Sequence, residues 1–251
     1  MLKRINLKYP HSSIKGIEVQ TLLALKLKSR NVKGTLYWEP YIRLAYGIGW
    51  RKYDILVDVG LSEKVPCGYF KILLSRKLDK KLLVEVPKSL VKGYVQEPLK
   101  TDVELVIGEL LDFAKILHIE SKRLTKKISD YAKKMHLWSK YMAYPVDEGA
   151  KWIFKLLRPQ KFDKQGIFMA KALLNEGFGI NEKTSREKIK LLKESGVIVY
   201  CPFYIVLEGE KVVLYDGTAT SLRESVAYTK FVNADEELKK YMLNILKKVS
   251  V

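Results

Sequence analysis

The sequence predicts an α+β fold: a small basic sheet domain with an N-terminal helix, a long helical linker, and a C-terminal domain of helices and a hairpin. Three observations predict it. Aromatic and β-branched runs broken by turn residues fill the first hundred positions. From Val103 the apolar spacing switches to alternating fours and threes. Beyond Pro145, amphipathic helical stretches give way to an alternating segment tipped by Gly209. The expected domains are therefore 1–100, 101–145 and 146–251.

Residues 14–30 read as the opening helix, with Gly16 weakening its start. Four strands follow, within Gly34–Tyr46, Tyr53–Val59, Gly68–Leu74 and Lys81–Val86. Gly47, Gly49, Pro66 and Asp79 separate them, and Pro87, Gly93 and Pro98 mark the boundary.

The next segment carries a heptad seam: Val103, Ile107, Leu110, Ala114, Leu117, Leu124, Ile128, Tyr131, Met135, Trp138 and Met142, with Ser121 as a polar breach. Two arrangements satisfy it. A long helix could pair with its twin, giving a homodimer through residues 103–142. Alternatively, ordinary helices pack on the rest of the chain, with a break near His118–Ser121. Leu111, Phe113, Ile116 and Ile119 predict wider burial of the first half.

After Pro145, Asp147–Leu157 and Gly166–Glu176 read as two helices. Asn181 can cap a third over Glu182–Glu194, which Gly196 would end. A hairpin then runs Phe203–Leu207 and Lys211–Tyr215 about Glu208-Gly209-Glu210, and Glu236–Lys248 is amphipathic. The order resembles the winged helix-turn-helix family over about residues 146–217. Ala172-Leu173-Leu174, Gly179-Ile180-Asn181, Thr184, Ile189, Leu192 and Glu194-Ser195-Gly196-Val197-Ile198 carry the resemblance. It implies a third helix in the DNA major groove, presenting Lys183, Thr184, Arg186, Glu187 and Lys190. Arg186 would read guanine, Thr184 and Ser185 would touch phosphate, and Ile189 and Leu192 would face the core. The acidic tip at Glu208 and Glu210 leaves a protein-docking or assembly use of the segment open.

Charge directs the functional reading. The net charge is +18, with 46 basic residues against 28 acidic. Residues 1–100 hold 20 Lys/Arg against 8 Asp/Glu, whereas residues 163–251 hold 14 against 12. Such an excess fits a polyanion. Arg43, Arg51, Lys52, Lys71, Arg76, Lys77, Lys80 and Lys81 interleave with Tyr37, Trp38, Tyr41, Tyr46, Trp50, Tyr53, Tyr69 and Phe70. That mixture suits phosphate contact with base stacking, although most such aromatics fill cores. The expectation is non-enzymatic nucleic-acid binding, with double-stranded DNA favoured over RNA, in transcription control, replication or genome organisation.

Other classes find less support. No run of eighteen apolar residues suggests a membrane span, and the first residues lack the apolar stretch of a secretory signal. Cys67 and Cys201 are too far apart for a zinc motif and suit a reducing cytoplasm. Frequent Lys, Ile, Val and Leu suit a thermophile. No phosphate-binding glycine loop occurs, Gly47-Ile48-Gly49-Trp50 lacks the rest of a dinucleotide fingerprint, and His11, His118 and His136 are scattered. No cofactor is expected. The enzymatic alternative is a nuclease resembling the PD-(D/E)xK family. In it Glu18, Asp58 and Glu85 would hold Mg or Mn, and Lys88 would steady the attacking water.

Overall fold

In the computed structural model, the described residues are 13–17, 34–65, 68–78, 83–87, 93–142, 162–218 and 223–249. They form an α+β architecture with an N-terminal sheet, a long helix, and a C-terminal region of helices and strands. The chain divides into two compact units, one of 1–106 with 189–251 and one of 107–188.

The first unit is built on β2, Gly34–Ile48. Leu36, Tyr37, Trp38, Tyr41, Ile42, Leu44, Tyr46 and Ile48 favour a pleated, buried strand. β3 (Arg51–Asp58) returns along β2 in register Tyr41↔Asp58 to Ile48↔Arg51. β8 (Ile198–Glu208) lines β2 from Gly34↔Val206 to Ile42↔Ile198 and continues into β9 (Lys211–Asp216). β1 (Ser13–Ile17), β4 (Arg76–Lys77) and β5 (Leu83–Pro87) give the order β4-β3-β2-β8-β1-β5. β6 (Tyr94–Val95) and β7 (Ile189–Leu191) also pair with β2. The sheet thus draws on both ends of the chain, and the hairpin expected as a wing is part of it. Helices α1 (Gly68–Leu74), α4 (Val226–Ala234) and α5 (Glu236–Val249) complete the unit. Phe70 of α1 and Phe231 of α4 pack with ring centroids 3.9 Å apart, and Phe203 lies 4.8 Å from Tyr228.

Three expected elements differ. Ser13–Ile17, where the first helix was to begin, is a strand paired with β5; residues 18–33 lie outside the described set. Gly68–Leu74 is a helix, not a strand. A seven-residue apolar run has no decisive period, and the helix goes with packing of Phe70 against Tyr228 and Phe231 from far along the chain. Glu182–Glu194 is a turn, a 3-10 turn at Arg186–Lys188, and strand β7, not a recognition helix. Local bonds compete with helix there: Lys183 N donates to Asn181 Oδ1 (2.9 Å), and Thr184 Oγ1 accepts from Asn181 N (3.1 Å). Further along, sheet pairing prevails, with Ile48↔Ile189 and Leu192 N donating to Ala45 O at 2.9 Å. The expected helix over Asp147–Leu157 lies outside the described residues.

The long helix α2 spans Val103–Met142 without a break at His118–Ser121. Ile107, Leu110, Ala114, Leu117 and Ser121 are buried in the single chain. The first half of the expected seam is therefore covered within the single chain. The polar breach has a local reason in the second unit. Ser121 Oγ accepts from Lys171 Nζ at 2.8 Å and donates to the His118 carbonyl at 3.0 Å. Lys171 lies on α3 (Phe162–Ala172), which runs into a π turn at Leu173–Gly177. The expected wider burial fails at Ile116 and Ile119, which are exposed. No helix among the described residues is long and apolar enough to cross a membrane.

Candidate nucleic-acid interface

The β2–β3 hairpin ends in a two-residue turn, Gly49-Trp50. Gly49 adopts φ +59°, a conformation costly for any residue with a Cβ. The turn carries Trp50 past the last pair of the ladder, Ile48↔Arg51, and leaves it 86% exposed. The Arg51 guanidinium lies 5.0 Å from the Trp50 ring centroid, within cation–π range. The other nominated aromatics differ: Tyr37, Trp38, Tyr41, Tyr46 and Phe70 are buried. Tyr53 stacks on Tyr46 at 5.3 Å, and Tyr69 sits edge-on to Phe231 at 6.4 Å.

Pairing also brings in a cation from far along the chain. Gly47 of β2 is the partner of both Lys52 on β3 and Lys190 on β7. Residues directly opposite in a ladder project from the same face, so both lysines rise on one side of Gly47. Their backbones stand two strand spacings apart, about 10 Å, with no side chain between them. Both are exposed, and neither has an ion-pair partner among the described residues. Three nominated cations, Arg51, Lys52 and Lys190, thus lie at one sheet end, Arg51 on the face opposite the two lysines. The first two were nominated for the basic half and the third for a helix that does not form.

The remaining nominees are dispersed. Arg76 turns inward, 5.6 Å from the Tyr41 ring and 5.2 Å from the Phe203 ring, with Asp216 Oδ2 at 3.6 Å. Lys77 is exposed on the edge strand β4. Thr184 is buried as the anchor of its own turn, and its hydroxyl donates to Gly179 O at 3.3 Å. Lys183 and Arg186 are exposed in the second unit. Lys183 borders a cleft of about 370 Å³ whose polar lining includes His118, Lys171, Asn175 and Glu182. Lys80 and Lys81 lie outside the described residues.

The two described members of the nuclease set do not share a site. Asp58 is on β3 and Glu85 on β5, four strands apart in the sheet order, or about 19 Å. Glu85 is exposed while Asp58 is fully buried. Glu18 and Lys88 lie outside the described residues. No group of three or more His, Cys, Asp or Glu able to hold a metal occurs among the described residues.

Asp58 belongs instead to a sealed polar network that the sequence did not reveal. Its Oδ1 accepts from Gly60 N (3.1 Å) and Ser62 N (2.8 Å), and its Oδ2 from Tyr228 Oη (2.5 Å). Tyr41 Oη lies 2.5 Å from Tyr228 Oη. Because Tyr41 pairs with Asp58, Glu39 is Asp58's diagonal neighbour on the same face. Glu39 is fully buried, accepting from Tyr37 Oη and from Leu61 N. Burial, then repulsion from and hydrogen bonding with Asp58, hold its carboxyl well above the usual carboxylate range. A Cβ at Gly60 would collide with Glu39 Oε1 and the Pro40 ring, so glycine closes the network. Cys201 is a buried free thiol, and burial pushes it up to about 12, leaving it inert.

The one signal that could have found Glu39 is its place between Tyr37 and Tyr41, an acid in an otherwise apolar run. No protein-family model matches this chain, and no match was found among curated proteins or among solved structures.

Proposed function

We propose that this protein binds nucleic acid without catalysing a reaction on it, through the cationic end of the β2–β3 hairpin. One observation carries the reading: the exposed Trp50 with Arg51 against its ring, and Lys52 and Lys190 flanking the bare Gly47, share one end of the sheet. Cations without acidic partners are those a phosphate chain can use, since binding displaces its counterions without first breaking an ion pair. The +18 net charge adds long-range attraction. DNA is the favoured polymer, and regulation, replication or genome organisation are the processes that such binding would serve. The α+β architecture is compatible with a nucleic-acid-binding protein in general.

The test is fluorescence anisotropy with labelled DNA across a salt series. Affinity should fall steeply with salt. Each of Lys52→Ala and Lys190→Ala should reduce the log–log salt slope by about 1. Wild-type binding by a combined Arg51→Ala, Lys52→Ala, Lys190→Ala variant would move the interface elsewhere. No binding at low salt would end the reading.

A further inference from the structure

Trp50 poses a question that phosphate contact does not answer. Lysines and arginines suffice to hold a polyanion, yet the sheet end also presents an indole that is 86% exposed. Gly49 turns the chain in two residues, so the ring stands beyond the ladder instead of folding back onto the sheet. Arg51 contacts the ring, and no other side chain among the described residues stacks on it.

We infer that Trp50 is a stacking platform for an unpaired base, with the strand's phosphate lying over Gly47 between Lys52 and Lys190. This rests on the nucleic-acid reading above and deepens it by naming the form of nucleic acid. Aromatic rings stack on any base because every base offers a π face, and an adjoining arginine adds to the attraction. Inside a duplex neighbouring base pairs cover both faces of each base, whereas along a single strand a base can be unstacked and offer one. The gap between the lysines suits a backbone phosphate: Gly47 presents no side chain, and a Cβ built there would meet only the Arg51 carbonyl oxygen, at 3.7 Å. Leu191, 38% exposed on β7, would give an apolar protein partner a second foothold. The two unneutralised lysines favour a polyanion as the occupant.

The experiment compares three labelled probes at one salt concentration: an oligothymidine of about twelve nucleotides, the same backbone lacking its bases, and a blunt duplex. Trp50→Ala should weaken oligothymidine binding about tenfold. It should leave the base-free strand unchanged, and Trp50→Phe should retain most of the affinity. Oligothymidine should quench indole fluorescence in the wild type, and the quench should shrink in Trp50→Phe. The ring is in solvent, so neither substitution should alter the far-ultraviolet circular dichroism.

Equal losses on both strands, or none on either while Lys52→Ala still weakens binding, would overturn the stacking role and leave the phosphate reading intact. Tighter binding of the duplex than of oligothymidine, unaffected by Trp50→Ala, would do the same. No binding to any probe at low salt would overturn both.

Discussion

At the Tyr41–Asp58 end of the β2–β3 hairpin, Glu39, Tyr41 and Asp58 are enclosed and hydrogen-bonded. At the Ile48–Arg51 end of the same two strands, an indole and two lysines stand in solvent without acidic partners. The inner end spends its charge on the fold. Asp58 satisfies two backbone amides and a tyrosine, and nearby Arg76 lies over aromatic rings beside Asp216. Between the ends, Arg43 and Asp54 form a two-bonded pair at 2.8 and 2.7 Å, cancelling each other. A count of basic residues cannot separate these uses, because an arginine over a buried tyrosine and a lysine beside a bare glycine add the same unit. Partnership separates them, and it predicts which substitutions harm stability and which harm binding.

The largest expected effect is at the sealed end. Asp58→Ala removes the acceptor for Gly60 N, Ser62 N and Tyr228 Oη in a site closed to water. Leaving such donors unpaired should cost about 3–5 kcal/mol. Urea unfolding should show a lower midpoint, while any population still folded should bind DNA as the wild type does. Loss of binding without loss of stability would return Asp58 to the functional residues.

The hydrophobic pattern made much of the fold legible, and partnership explains what it hid. The aromatic run of β2, the turn at Gly49 and the heptad seam of α2 each follow a periodicity that a single strand or helix imposes on its own residues. Gly68–Leu74 and Glu182–Glu194 were misread because their state depends on remote packing: on Phe231 for the first, on Ala45 and Gly47 for the second. The same holds for the site. Arg51 and Lys52 were visible among the cations interleaved with aromatics in the basic half. Their junction with Lys190 required β7 to reach across more than a hundred residues to β2, which no local pattern records. Glu39 and Asp58 were opaque for the same reason, since their apposition is a matter of strand register.

A smaller effect should appear in the pH dependence of stability. Glu39 holds its proton in the folded protein well above the usual carboxylate range, chiefly through burial. The unfolded chain releases that proton near pH 4.3. Between those limits the native state binds more protons, so stability falls as pH rises, by up to about 1.4 kcal/mol per pH unit for this group. Glu39→Gln keeps the shape without the titration. It should flatten the slope of unfolding free energy above pH 5, gaining on the wild type as pH increases. An unchanged slope would mean that the sealed end carries no such proton.

The smallest effect separates the two kinds of exposed lysine. Lys77 faces solvent on β4, at the edge of the sheet, far from any exposed aromatic ring identified on the hairpin. Lysine on an edge strand has an established structural use, since its charge discourages pairing with the edge of another molecule. If partnership and geometry define the interface, Lys77 contributes only to the general field around the protein. Lys77→Ala should then change the salt slope by less than about 1, and less than Lys52→Ala does under the same conditions. A Lys77→Ala loss equal to that of Lys52→Ala would break the contrast between the hairpin's ends. Charge would then act by its total and not by its arrangement, and the junction at Gly47 would hold no privileged position.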